Sequence, residues 1–356
     1  MCLPPIGEEP LMTNHNFELD TDKLADYLSQ HIDNFQGPVK ASKFADGQSN
    51  PTYLLETAKS KYVLRRQPPG KLLKGAHAVD REFRVMSALA STSVPVAKTL
   101  HLCIDSQVIG NQFYVMEFKD GRVLWDPALP EQSKEERVQI YDAMNHTLAA
   151  LHQVDIDAAG LSDYGKKTDY FARQIHTWSK NYKAAEIDSI QAMDYLIDWL
   201  PANLPPEDGK FSIVHGDYRL DNLMFDKQKN AVIAVLDWEL STVGHPYADL
   251  AYQCMLYHIP GGEGLPGLAG ADIESLGIPT EEQYIRQYCE RTNSGTINGT
   301  IDNWNFYLAF SLFRLASICQ GVVKRAQQGN ASSDKAGNYR HLVSMFAETA
   351  ERLSKQ

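Results

Sequence analysis

The chain has 356 residues, 43% of them hydrophobic and 22% charged, with a formal net charge of −11. This is enough chain for two units with separate cores, in proportions ordinary for a globular protein. The acidic excess argues against a nucleic-acid partner, which a strongly basic domain would mark.

Five scattered cysteines, none in a Cys-x-x-Cys pair, suit free thiols in a reducing, cytoplasmic setting rather than a disulfide framework or a zinc site. The first residues lack the basic start and apolar core of a secretory signal. No continuous apolar run approaches the roughly 18 residues of a membrane span, so no membrane association is expected.

Residues 1–18 read as a loose tail with three prolines. Leu24, Leu28, Ile32 and Phe35 recur at helical spacing and predict a helix over 20–35. Strands are expected at 39–44, 52–56 and 61–66. Between the first two, Ala45 to Asn50 is turn-forming. It is read either as an ordinary hairpin turn or as a loop whose backbone N–H groups and small side chains, Ser49 and Asn50 among them, hold a phosphate.

In Lys61-Tyr62-Val63-Leu64-Arg65-Arg66 the alternation puts Val63 and Arg65 on one face and Leu64 on the other. A helix follows with Val79, Phe83, Met86 and Ala90 as its apolar stripe and Glu82 beside it. A strand cation followed by a helix glutamate repeats the Lys–Glu ion pair of kinase amino-terminal lobes, with arginine in place of lysine.

Strands are expected again at 98–104 and 112–118, and Asp120-Gly121 then breaks the pattern as a hinge. Ser133-x-x-Glu136 predicts a capping box ahead of a helix whose stripe is Val138, Tyr141, Met144, Leu148 and Leu151. His152 closes that stripe and is read as a packed, hydrogen-bonded histidine. Helices are predicted at 170–185 and at 190–200, where Pro201 stops the pattern. The stretch 260–277, rich in glycine and proline, reads as a long mobile loop. Helices near 280–291, 302–326 and 335–353 close the chain.

The chemistry concentrates in residues 213–239. The apolar pair Ile213-Val214 leads into His215-Gly216-Asp217, with Asn222 five residues after the aspartate. A second apolar run, 231–236, ends in Asp237-Trp238-Glu239. Two strand-like runs that deliver carboxylates at their ends suggest a site for a divalent cation and a polyanion, because hard cations take carboxylates together with substrate phosphates. The Asp-x-x-x-x-Asn spacing also fits the catalytic loop of kinases.

HGDYRLDN, LDWE and GHPYADLA together resemble the aminoglycoside phosphotransferase and choline kinase-like superfamily. The likeness runs from about residue 38 onward and is strongest to the kinase-like domain of acyl-CoA dehydrogenase fusion proteins. It implies an α+β, protein kinase-like two-lobed fold with a small antiparallel-sheet N-lobe and a mostly helical C-lobe. The corresponding organisation is a tail and helix over 1–36, a nucleotide-binding lobe over 37–119, and a helical lobe with the acceptor site over 120–356.

The resemblance also implies roles. Asp217 orients the acceptor hydroxyl and takes its proton, and Arg219 neutralises the transferred phosphoryl. Asn222, Asp237 and Glu239 hold Mg²⁺. Arg65, steadied by Glu82, grips the α- and β-phosphates of ATP. Ser49 and Asn50 lie near the phosphates, and backbone groups around Glu117 and Phe118 meet the adenine. His215 and Asp249 support the catalytic loop.

The implied activity moves the γ-phosphoryl of ATP to a hydroxyl of a small molecule, with a hydroxy acid or hydroxyacyl-CoA favoured by the nearest resemblance. Alternatives are an aminoglycoside or amino-alcohol (choline-like) kinase, or a nucleotide-binding regulatory protein without turnover. Arg314, Lys324 and Arg325 are read either as contacts for an anionic acceptor or as a solvated helix face. Oligomeric state is not legible.

Overall fold

The computed structural model describes residues 19–44, 50–69, 77–262, 267–327 and 333–356, with side chains described from Tyr339 onward in the last segment. In chain order the elements begin with α1 (Thr21–His31), β1 (Lys40–Lys43), β2 (Thr52–Glu56), β3 (Lys61–Arg66) and α2 (Val79–Leu89). There follow β4 (Thr99–Cys103), β5 (Phe113–Glu117), β6 (Gly121–Val123), α3 (Lys134–His152), α4 (Tyr170–Ala185) and α5 (Gln191–Ala202). Next come β7 (Ser212–Val214), β8 (Leu223–Asp226), β9 (Val232–Val235), β10 (Thr242–Gly244) and α6 (Tyr247–Cys254). The chain ends with α7 (Ile273–Leu276), α8 (Glu281–Thr292), α9 (Trp304–Gln327) and α10 (Ser333–Ser354). This is the α+β, protein kinase-like architecture. The tail over 1–18 and the turn over 45–49, including Ser49, lie outside the described residues.

The chain divides into two compact units, and they do not follow a single cut. The first takes residues 1–125, 157–161 and 220–241; the second takes 126–156, 162–219 and 242–356. Residues 220–241 join the first unit because β8 pairs with β6 and with β9 in one antiparallel sheet. Gly121 therefore starts a strand instead of breaking the pattern.

In the first unit an antiparallel sheet has the order β1-β2-β3-β5-β4. Alternation along its strands sorts the two faces. Tyr62 and Leu64 of β3, with Phe113 and Val115 of β5, join Leu24 and Leu28 of α1 and the following Ile32 and Phe35 in one core cluster. Val63 and Arg65 point the other way, as does Tyr114, which lies opposite Arg65 in the β3–β5 register. That second face meets α2. The buried stripe of α2 is Val79, Glu82, Val85, Met86 and Leu89. Glu82 thus sits within the stripe, Phe83 is only half-buried and Ala90 is exposed, because the helix turns its acid and not its phenylalanine toward the sheet.

The second unit is helical. The capping box forms at Ser133 and Glu136. Val138 is exposed and Ile140 takes its place in the buried face of α3. Pro201 falls inside the last turn of α5. The helix thus runs two residues past the predicted stop at 200. Part of the 260–277 stretch is ordered as α7, while 263–266 lie outside the described residues. By length and composition α9 could cross a membrane, but 83% of its most apolar 18-residue window is buried in the protein, as in a core helix. Ser311, Arg314, Ser317 and Gln320 interrupt its apolar run.

Strands β7 and β10 form a small ladder in which Ser212 pairs with Gly244. A Cβ on Gly244 would stand 2.5 Å from Cε2 of Tyr170 and 2.9 Å from Cγ2 of Val214, so a side chain there would displace the start of α4.

Candidate active site

In the first unit the charged residues singled out from the sequence converge on Arg65. Its Nε lies 2.7 Å from Oε2 of Glu82, a close charge contact that is not aligned as a hydrogen bond. Its Nη2 donates to Oδ1 of Asp237 at 2.5 Å and stands 3.8 Å from Oε2 of Glu239. Tyr114 donates its hydroxyl to the same Glu82 oxygen at 3.0 Å.

Three carboxylates therefore face one guanidinium. Burial alone would lower the pKa of Arg65, but the charges of Glu82, Asp237 and Glu239 outweigh it and hold the guanidinium charged. Burial pushes the Glu82 carboxyl up, Arg65 pulls it down, and Asp237 and Glu239 push it up again, leaving it raised. The cluster carries two more negative charges than positive ones, a balance suited to a divalent cation.

Asp237 reaches this position from the end of β9 with φ at +60°, a left-handed conformation that a short polar residue adopts more readily than others. Asn222 is tied to it through the backbone, since its carbonyl accepts the N–H of Leu236 at 2.8 Å. Asp237 and Glu239 supply carboxylates, and Asn222 an amide oxygen, of the hard-oxygen kind that Mg²⁺ takes together with substrate phosphates. Among the described residues there is no cluster of three His, Cys, Asp or Glu groups that would close a cage without a ligand. The two carboxylates near Arg65 are donors of a type that Mg²⁺ could use if phosphate oxygens completed its shell.

Asn50 is fully buried. Its amide donates to Oε1 of Glu82 at 2.6 Å, and its carbonyl oxygen lies 3.0 Å from Nδ1 of His77. It thereby fixes the glutamate that contacts Arg65. Glu117 spends its carboxylate on the Lys98 N–H at 2.8 Å and on Nζ of Lys119, and its own N–H on the Lys98 carbonyl. Phe118 is half-buried, with Nζ of Lys61 5.8 Å from its ring centroid. Neither belongs to the Arg65 cluster.

The second unit holds the turn His215-Gly216-Asp217, directly after β7. Its support is Asp249 at the start of α6. Oδ2 of Asp249 accepts the His215 N–H at 2.6 Å, and Oδ1 accepts the Gly216 N–H at 2.8 Å. His152 lies 3.3 Å from Oδ2 through Nε2, and its Nδ1 is 2.7 Å from the Tyr288 hydroxyl. His152 is thus packed and hydrogen-bonded, as expected, and steadies the aspartate. Gly216 has φ of +83°, a conformation other residues rarely adopt.

These bonds present Asp217, 4% exposed, beside Arg219, also 4% exposed. Burial alone would raise the Asp217 carboxyl. The Arg219 guanidinium, with smaller contributions from Arg314 and the Tyr252 hydroxyl, holds it below the usual carboxylate range. Asp217 is therefore ionised at neutral pH and acts as an acceptor. The Tyr252 hydroxyl leans on it without completing a well-aligned hydrogen bond. A separate cleft of about 570 Å³, lined by residues including Val138, Asp142, Ile278 and Arg286, contains none of these groups.

Sequence reasoning missed Tyr114, Tyr252 and Trp178. The signal for Tyr114 was the alternation of QFYVMEF, but only the strand register sets it opposite Arg65. Trp178 and Tyr252 are brought together by helix packing around α9, which leaves no local mark.

A sheet unit with an Arg–Glu pair and a metal-type donor set, together with a helical unit carrying a supported His-Gly-Asp turn, defines a small-molecule phosphotransferase of the protein kinase-like class. The chain belongs to the APH phosphotransferase enzyme family, whose model matches residues 40–284.

Acyl-CoA dehydrogenase family member 10 of Mus musculus is 49% identical over 92% of this chain and 30% of its own length. The chain thus spans less than half the length of the curated relatives it matches. A solved structure from Ralstonia eutropha JMP134, provisionally named an aminoglycoside phosphotransferase, is 50% identical with a TM-score of 0.83, covering 94% of this chain and 99% of that one. Two more distant structures share the fold alone. Aminoglycoside phosphotransferase APH(4)-Ia with AMP-PNP and hygromycin B has a TM-score of 0.58 at 15% identity, over 92% and 98% of the two chains. Choline kinase from Cryptosporidium parvum Iowa II has a TM-score of 0.64 at 13% identity, over 95% and 97%.

Proposed function

We propose that the chain transfers the γ-phosphoryl of ATP to a hydroxyl of a hydroxy acid or hydroxyacyl-CoA. The observation that carries the phosphoryl-transfer chemistry is the convergence of Glu82, Asp237 and Glu239 on Arg65, with the Asp237 contact at 2.5 Å. A permanently charged fork held between a buried glutamate and the proposed metal ligands is suited to gripping two phosphate oxygens. The AMP-PNP in the APH(4)-Ia complex supports a nucleoside triphosphate as donor. The acyl acceptor is supported by the names of the longer relatives, in which a matching segment belongs to proteins called acyl-CoA dehydrogenases.

In this reading Arg65 binds the α- and β-phosphates while Glu82, braced by Asn50 and Tyr114, sets its direction. Asn222, Asp237 and Glu239 hold Mg²⁺, which when bound neutralises phosphate charge. Asp217 accepts a hydrogen bond from the acceptor hydroxyl, orients it, and takes its proton late in transfer, as its low pKa requires. Arg219 stabilises charge on the transferred group.

The test is Asp217→Asn assayed with Mg-ATP across hydroxy acids, their CoA esters, amino alcohols and aminoglycosides. Turnover should fall by about 10²- to 10⁴-fold with nucleotide affinity unchanged. Retained transfer would remove Asp217 as the base, and transfer by the wild type to aminoglycosides alone would overturn the acceptor class.

A further inference from the structure

Arg314 projects from α9 and is 5% exposed. Its guanidinium carbon stands 5.4 Å from the ring centroid of Trp178 and 5.2 Å from that of Tyr252. Its Nε is buried and has no hydrogen-bond partner, and the same is true of the Tyr252 hydroxyl oxygen. Among the described residues Arg314 forms neither a hydrogen bond nor an ion pair, although its charge is felt by Asp217.

An enclosed cation with no hydrogen-bonded anion is costly to the fold. Stacking on two rings offsets part of that cost, at about 0.5–2 kcal/mol for each cation–π contact. Contact with the rings supplies no hydrogen-bond acceptor in the guanidinium plane, however. Its N–H donors lie in the plane and are left to bind something else. A buried donor without a partner, held beside two rings, is available to a planar oxygen group of the kind arginine recognises.

We propose that Arg314 recognises the acceptor by donating to an oxygen of its acyl group, a reading that rests on the phosphotransferase function above. The acyl oxygen is supplied either by the carboxylate of a free hydroxy acid or by the carbonyl of its thioester. Asp217 and Arg314 then take the two ends of one hydroxyacyl fragment, its hydroxyl and its acyl oxygen. The same buried positive charge disfavours cationic acceptors such as choline or an aminoglycoside. The class of acceptor is thus set by Arg314 and not by the −11 net charge of the whole chain.

The experiment compares wild type, Arg314→Lys and Arg314→Gln with Mg-ATP and 2-, 3- and 4-hydroxybutyrate, their CoA esters and choline. KM for the preferred hydroxyacyl acceptor should rise about tenfold in R314K and about a hundredfold in R314Q, as loss of one or two charge-assisted bonds requires. KM for ATP should not move. A preference for the free acids assigns the contact to a carboxylate, and a preference for the esters assigns it to a carbonyl; either supports the proposal. Unchanged acceptor KM in both variants, or choline as the best wild-type acceptor, overturns it.

Calorimetric binding of the same hydroxy acids and esters without nucleotide separates this inference from the function it rests on. If no acceptor turns over, the phosphotransferase reading fails, while loss of hydroxyacyl binding in R314K still supports the Arg314 contact. Intact binding in R314K, with only a lowered melting temperature, assigns Arg314 to packing and overturns the contact. No binding to wild type overturns it as well.

Discussion

Asp249→Asn is the substitution whose effect follows most directly from the geometry. The wild-type carboxylate is 1% exposed and accepts the His215 N–H at 2.6 Å, the Gly216 N–H at 2.8 Å and the more distant His152 at 3.3 Å. Asparagine has one acceptor oxygen. Placed where Oδ2 was, that oxygen keeps His215 and His152 and turns the amide NH₂ onto the Gly216 N–H. One bond to a charged acceptor is lost, at about 1.5–3 kcal/mol, and a buried donor then faces a donor. The combined cost is about 3 kcal/mol locally, roughly a hundredfold in the opening equilibrium of the turn. Amide hydrogen exchange reads this directly. Protection of Gly216 should fall by about a hundredfold and that of His215 by less, while Leu64 in the five-stranded sheet keeps its wild-type rate. Turnover should fall too, because Gly216 immediately precedes Asp217. Protection of Gly216 within about threefold of wild type would refute the argument that Asp249 holds the turn.

Arg65→Ala leaves Glu82, Asp237 and Glu239 facing one another without a cation, and should cost about 3 kcal/mol of stability. If those acids take Mg²⁺, adding MgCl₂ should raise the melting temperature of the variant more than that of wild type, and an equal response in both would count against the metal assignment. A second measurement concerns pH. Burial lowers the His245 pKa from 6.5 to about 4 against the opposing pull of Asp208. Between those values the unfolded chain binds the proton and the folded chain does not. Stability should therefore fall as pH drops through this window, by up to about 3 kcal/mol from this residue. Urea unfolding at several pH values should show a shallower slope in His245→Gln, and an unchanged slope would point to other groups.

Much of the candidate site was legible in the sequence because its signals are local. Hydroxyl-bearing and acidic residues at helix starts, a glycine between histidine and aspartate, and period-two alternation in KYVLRR all act over a few residues. Strands β2 and β3, helix α4 and the Ser133 capping box could be placed from such spacing. The pairing of Arg65 with Glu82 was readable as strand face and helix face. What spacing could not carry was register and partnership. Asn50 reads from spacing only as a loop residue, and its burial against Glu82, a contact 32 residues away along the chain, is set by the tertiary structure. Gly121 looked like a break and begins β6, because its partner β8 arrives from residues 223–226.

By itself the sequence determined which chemical groups exist and at what intervals: an acid two residues before an arginine in HGDYR, an acid pair in DWE, and a cation at the end of an alternating strand. Those intervals suffice for the kinase-like class, because catalytic loops are short and their geometry is local. Tertiary structure alone decided how the charges are shared. It directed three carboxylates to one guanidinium at Arg65, sent Asp249 back to hold the turn before Asp217, and buried Arg314 beside Trp178 and Tyr252 with no ion pair among the described residues. The physical reason is that burial and pairing depend on neighbours distant in the chain, and the free energy of an ionised group is set by those neighbours more than by its own residue type.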